Sequence, residues 1–378
     1  MAKMCMLYFF LYCPHGIIYP MTGQYLTSIG FSGTQVGIVT SMGTGCAIFA
    51  GMIWGQIYAN SKNKRLVIVG MCLACAVLGV LSIQTRIFII YALLYAGIFF
   101  FFGPLYGLCD AMVLDNKGLK FPVIRSFGSF GYAVAVFSAG YLAESAGLDK
   151  MFYIFSAAYI LTCPFILTEA EPVYYKEEKE EKIKVSVLLR EKRYLKFVVI
   201  TFFIQGTCMA HGTYFSFLFQ EGGGNMSGIG RVFLLMAIAE GGFMLLLPWL
   251  LRRFSQEKLI LTAISVSALR FAFFATGPSA SILTWTFLIH GVVNGILMAE
   301  MVRYSNDIVP AKYRSVAVSV FYAITNLSGI VCSLLGGILL DVSGARGIYV
   351  FFCIFNVAAA ALYVFMGFQK KNEIIQKI

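Results

Sequence analysis

Apolar runs of roughly twenty residues, separated by short polar breaks, recur from one end of the chain to the other. Each is long enough to cross a hydrocarbon layer of about 30 Å as a helix rising ~1.5 Å per residue. The pattern predicts helices over 4–28, 34–58, 65–84, 87–114, 122–146 and 151–168. After a polar stretch it predicts 195–219, 228–252, 257–277, 281–305, 314–340 and 346–368. The expected fold class is an all-α membrane protein of twelve transmembrane helices. They fall into two six-helix bundles, 1–168 and 195–378 with its short tail, joined by a linker over 169–194.

Polar residues orient this array. Lys62, Lys64 and Arg65 follow the second run, and Lys117 and Lys120 the fourth. Arg252, Arg253 and Lys258 follow the eighth, Lys312 and Arg314 the tenth, and Lys370, Lys371 and Lys377 lie in the tail. The alternate breaks SIGFSGTQ, EGGGNMSG and GPSAS contain no Lys or Arg. The positive-inside rule then places both termini in the cytoplasm and the chain in the cytoplasmic (inner) membrane. The charged stretch EAEPVYYKEEKEEKIKVSVLLREKRY reads as a solvated cytoplasmic linker.

Composition agrees. Of 378 residues, 59% are hydrophobic and 12% charged, far too few polar groups to coat a soluble protein of this size. The net charge of +11 is spent in alternate loops, which excludes a nucleic-acid partner. Cys72 and Cys75 form a C-x-x-C inside an apolar run and read as packing residues rather than a redox or metal site. No zinc-protease motif, P-loop or nucleophile elbow is present, which disfavours an intramembrane enzyme, and no cofactor or metal is expected. Asn225-Met226-Ser227 matches a glycosylation sequon and reads as a chance match.

The two bundles carry a trace of each other. Gly140-YLAESA-Gly147 recurs 197 residues later as Gly337-ILLDVS-Gly344, with Glu144 falling on Asp341. The basic loops after the second and eighth runs correspond in the same way. This predicts two bundles related as parallel repeats.

Ionisable residues inside the apolar runs are the candidate chemistry, because a charge within a bilayer costs at least about 2.5–3.5 kcal/mol unless it is matched. Asp110 and Arg125 lie eight residues before and seven after the loop centre at Gly118, so they are predicted to pair at one depth on adjacent helices. Glu240 and Arg270 each lie fifteen residues from Ser255, and His290 lies at a similar depth on the next helix. A carboxylate, a guanidinium and an imidazole in one layer suit proton coupling. Tyr132 lies two helical turns beyond Arg125 on the same face, and His211 is the ionisable group of the seventh run. His15, in the aromatic-rich first run, reads as a packing residue.

The chain resembles the proton-symporter branch of the major facilitator superfamily that holds the lactose, nucleoside and phenylpropionate permeases. FPVIRSFGSFGYA at the start of the fifth helix looks like that branch's signature. The resemblance implies that Arg125 and Asp110 bind substrate, that Tyr132 stacks on it, and that Glu240, Arg270 and His290 form the substrate-and-proton cluster. His211 joins Asp110, Arg125 and Tyr132 as a candidate substrate-binding residue. IQGTCMAHG, AIAEGG and LIHG are similar to the phenylpropionate permeases. The chain also departs from the lactose pattern. Tyr214 with Phe287, and His211 with Thr325, stand where that permease has charged pairs. Val293, beside Asn294, stands where its proton-carrying carboxylate lies. The loop GQIYANSKNKR keeps the Gly and bases of the superfamily's signature without its Asp.

The expected function is proton-coupled import of a small organic solute (a sugar, nucleoside or aromatic acid) by alternating access, with the solute, protons and the lipid bilayer as partners and a monomeric chain. A drug/proton antiporter on the same fold is the alternative. Helix 5 lacks any proline after Pro122, whereas such antiporters carry a Gly-Pro-rich motif there.

Overall fold

The computed structural model describes residues 1–114, 121–168, 188 and 190–368, and every regular element among them is helical. The first six helices are α1 (Ala2–Ser28), α2 (Gly33–Asn60), α3 (Lys64–Ile83), α4 (Phe88–Leu114), α5 (Phe121–Ala146) and α6 (Met151–Leu167). Then come α7 (Lys192–Glu221), α8 (Met226–Arg253), α9 (Gln256–Ala275), α10 (Ala280–Asp307) and α11 (Arg314–Phe365). Eleven helices among the described residues are long and apolar enough to cross a membrane. The basic residues Lys117 and Lys120, most of the predicted linker over 169–194, and the basic tail lie outside the described residues.

Local sequence sets the helix starts. Ser32 and Gln35 close a capping box on α2: the Gln35 N–H donates to Ser32 Oγ at 3.2 Å and the Ser32 N–H to Gln35 Oε1 at 2.9 Å. Asn63 caps α3, and Ser255 caps α9. Asn225 Oδ1 accepts from the Gly228 N–H at the start of α8, and Glu144 accepts from Asn225 Nδ2 and from the Ser227 N–H. The sequon-like triplet is thus a helix cap. Pro14 and Pro20 do not end α1, which runs through both.

The two expected final helices, 314–340 and 346–368, form two arms of one element, α11, that breaks at Gly344. Gly344 has φ 69° and ψ −172°, a conformation open essentially to glycine alone. The Ala345 N–H, at the start of the second arm, donates to Glu221 Oε1 at 2.8 Å. Gly147, the counterpart of Gly344 in the predicted repeat, also has positive φ, at 104°, and follows the end of α5. Both copies of the motif therefore end on a backbone turn that needs glycine.

Packing separates the chain into two compact units. One is built from α1–α6 with Phe215–Phe217 and Gly224–Leu234, and the other from the remainder of α7 and α8 with α9–α11. The outward surfaces are apolar: Leu245 is 84% exposed, Val342 78% and Phe365 90%. Large hydrophobic side chains facing outward at this density require lipid as their solvent. Cys72 and Cys75 are fully buried in α3, as packing residues are.

In the first unit α1 and α5 touch backbone to backbone. A Cβ on Gly131 would lie 2.0 Å from the Phe9 carbonyl oxygen, and one on Gly16 would lie 2.5 Å from that of Tyr132. Small residues permit such an approach, and in lipid close packing replaces the hydrophobic effect as the force joining helices. Gly131→Ala is expected to push α1 and α5 apart and lower stability by about 1–3 kcal/mol, the usual range for overpacking. Gly107→Ala, where a Cβ meets nothing within 4 Å, is expected to be tolerated. Thermal unfolding of the two variants in detergent checks this; equal midpoints would mean that the helices do not depend on that contact.

Candidate functional site

The close α1–α5 contact brings a polar seam together in the first unit. Tyr8, Tyr12, His15 and Tyr19 are spaced four, three and four residues apart, which places them on one face of α1. Tyr8 Oη donates to Asp110 Oδ1 at 2.6 Å. The Arg125 guanidinium carbon lies 4.1 Å from the Tyr12 ring centroid, a cation–π contact. The Tyr8 and Tyr12 rings stack at 5.9 Å. One turn higher, His15 lies 5.8 Å from Tyr132, 5.6 Å from Tyr106 and 4.4 Å from Tyr19, centroid to centroid. Its Nδ1 is buried without a hydrogen-bond partner.

Asp110 and Arg125 do reach the same turn of α1, as the depth count predicts, but no ion pair joins them directly. The expected pairing is corrected: each of the two meets a different tyrosine of α1. An anionic acceptor, a cation and aromatic hydroxyls thus line one seam. His15, expected only to pack, contributes an open nitrogen to it. Tyr8, Tyr12 and Tyr106 were missed by the sequence reading, which weighed charges alone; the four-three-four spacing was the available signal.

In the second unit the predicted layer of Glu240, Arg270 and His290 divides in two. Asn294 Nδ2 donates to Glu240 Oε2 at 3.2 Å, and a Cβ on Gly291 would meet the Met236 carbonyl and the Glu240 nitrogen at 2.6 and 2.9 Å. Glu240 therefore faces the glycine side of α10. The His290 ring instead packs on His211 at 4.5 Å and on Phe287 at 5.1 Å. His211 Nδ1 is 2.8 Å from Tyr349 Oη, a hydrogen bond whose direction depends on the histidine tautomer. Arg270 is 5% exposed, with its guanidinium carbon 4.6 Å from the Phe271 centroid and 5.6 Å from that of Phe274. None of its three guanidinium nitrogens has a hydrogen-bond partner, so Glu240 does not pair with it. Neighbouring positions on a helix differ by about 100° in direction. Depth counting measures rise and is blind to that rotation, so it grouped side chains that point apart.

The profile of the MFS_1 like family matches residues 1–351. The chain belongs to that family. It is a multi-pass membrane transporter for small solutes rather than an enzyme. It is 26% identical over 372 residues to a maltose permease of Geobacillus stearothermophilus, covering 97% of this chain and 94% of the permease. It is 26% identical over 273 residues to the multidrug resistance protein MdtG of Escherichia coli, covering 67% of this chain and 66% of that protein. The crystal structure of the nucleoside transporter NupG superposes with a TM-score of 0.82 at 20% identity, over 98% of this chain and 99% of NupG. That likeness establishes the major facilitator fold.

The Tyr8–Asp110 bond can be weighed separately from transport. A hydrogen bond to a charged group contributes about 1.5–3 kcal/mol when buried, and Asp110 is half-buried, so Tyr8→Phe is expected to destabilise by about 1 kcal/mol. Chemical unfolding of the first-unit reporter Trp54 by fluorescence measures it, and an unchanged midpoint would assign the tyrosine to solute contact alone.

Proposed function

We propose that the chain is a proton-coupled importer of a small organic solute bearing several hydroxyls, a sugar or nucleoside, working by alternating access. In this reading α11 crosses the membrane twice, on either side of Gly344. The twelve crossings form two parallel six-helix repeats, 1–168 and 195–378, and both termini face the cytoplasm. The observation that carries the reading is the α1 seam. Arg125 and the tyrosine hydroxyls offer donors, Asp110 offers an acceptor, His15 Nδ1 has no partner of its own, and the Tyr132 and Tyr106 rings offer faces for an apolar ring. A neutral polyol answers both polarities at once, whereas an anion would set itself against Asp110. The names of the maltose permease and of NupG support the same class.

For coupling, the partner of Glu240 matters. An amide serves either protonation state: Asn294 Nδ2 donates to the carboxylate, and its Oδ1 can accept from the carboxylic acid after a flip. A guanidinium partner would hold only the ionised form. The Asn294 bond thereby suits a Glu240 that loads and releases a proton as the transporter cycles, with Arg270 and His290 acting beside it rather than on it.

The similarity to MdtG favours a second reading, a drug/proton antiporter, and one assay separates the two. In proteoliposomes with an imposed inward proton gradient, uptake of radiolabelled maltose or uridine is expected to run uphill. Glu240→Gln is expected to abolish accumulation while leaving exchange. Arg125→Lys keeps the charge but loses the planar fork, and should weaken solute binding at least about tenfold, ~1.4 kcal/mol. Accumulation by Glu240→Gln equal to the parent would remove Glu240 from the proton path. Proton-driven efflux of cationic dyes, with neither sugar nor nucleoside moved, would establish the antiporter instead.

A further inference from the structure

Arg270 is a buried cation with nothing to balance it. Its Nε and both Nη atoms are sealed from solvent without a hydrogen-bond partner, and no acidic side chain lies within ion-pair distance among the described residues. The rings of Phe271 and Phe274 cover the guanidinium faces, so five N–H donors are left along its edge. The Phe271 ring also contacts His211, which packs on His290, and His290 Nδ1 is a second buried nitrogen without a partner. A guanidinium stays charged at any accessible pH, so the protein cannot relieve this burial by losing the proton. Buried donors in native proteins find partners, and two such groups in one aromatic nest indicate a ligand.

We infer that Arg270 is the centre of an anion site in the second unit, and that its occupant is a monovalent carboxylate. One negative charge balances the one guanidinium, while a dianion would leave an excess among hydrocarbon walls. A carboxylate is planar and meets two parallel N–H groups of the guanidinium edge at once. The Phe271 and Phe274 rings on the guanidinium, with the Tyr349 ring packed against both, suit a flat apolar body behind it. The carboxylate belongs to an organic acid, separate from the transported polyol, that occupies the second unit during the cycle. This inference rests on the transporter reading for access, because the guanidinium is closed to solvent in the conformation described.

Equilibrium dialysis of the purified protein against carbon-14 benzoate, at constant ionic strength, tests it. The parent is expected to bind about one benzoate per chain saturably. Acetate should compete more weakly than benzoate, and chloride least. Arg270→Met should weaken binding at least tenfold, while Arg253→Met, an exposed cation on α8, should leave it unchanged. If the Arg270 variant does not fold, a diazirine-bearing benzoate cross-linked to the parent and mapped by peptide mass spectrometry decides. Labels within 256–307 support the site and labels confined to 1–114 overturn it. Absence of saturable binding in the parent, or equal affinity in Arg270→Met, also overturns it. Simultaneous binding of benzoate with maltose or uridine is expected and supports a separate acid site, whereas competitive displacement of benzoate by either neutral solute would overturn it. Absent benzoate binding alongside intact proton-driven uptake would remove this site alone. Benzoate bound at Arg270 in a chain that moves no solute would remove the transport reading alone.

Discussion

A charge carried into a bilayer must be met within a few ångströms by something that replaces water, and the two units answer that constraint in opposite ways. In the first, Asp110 accepts a short bond from Tyr8 and Arg125 rests on the Tyr12 ring. Each ion is met by its own tyrosine of α1. That arrangement exists only because Gly16 and Gly131 let the α1 and α5 backbones meet. The glycines thus set the spacing of the seam.

In the second unit the constraint is left partly unmet. Glu240 accepts a hydrogen bond from the Asn294 amide, and the Arg270 guanidinium rests on the Phe271 and Phe274 rings. A guanidinium–carboxylate pair would have been more self-sufficient and less responsive. Separating the two leaves the carboxylate with an amide contact and the cation against aromatic rings. Such incompletely balanced groups are costly in a resting protein, and a transporter has a use for them, since its ligands must complete contacts in one state and leave them in another.

Helix terminations tie these units to the membrane frame. Gly147 and Gly344 share a positive φ 197 residues apart, and Glu144 and Glu221 each accept backbone N–H groups where a helix begins. An acid at a helix start satisfies donors that would otherwise be orphaned in a poorly hydrated place. The break at Gly344 is therefore a built turn, with its own acceptor, between the two arms of α11.

What the sequence determined by itself was whatever depends on distance along the chain. Run length gave the helices to within a few residues, since burying backbone polar groups in lipid leaves a helix as the means of crossing. Spacing gave the glycine-ended motif and the common level of Asp110 and Arg125. The four-three-four stripe of Tyr8, Tyr12, His15 and Tyr19 was equally present in the chain, and went unread only because charges drew the weight. Direction was decided elsewhere. That Tyr8 meets Asp110 and Tyr12 meets Arg125 depends on how closely α1 approaches its neighbours. That Glu240 turns to Asn294 while His290 turns to His211 depends on the rotation of α8 and α10 about their axes. Rise per residue is a property of the backbone and can be counted from the sequence. Helix rotation and separation are fixed by which side chains interlock between helices, and that is settled only when the tertiary structure forms.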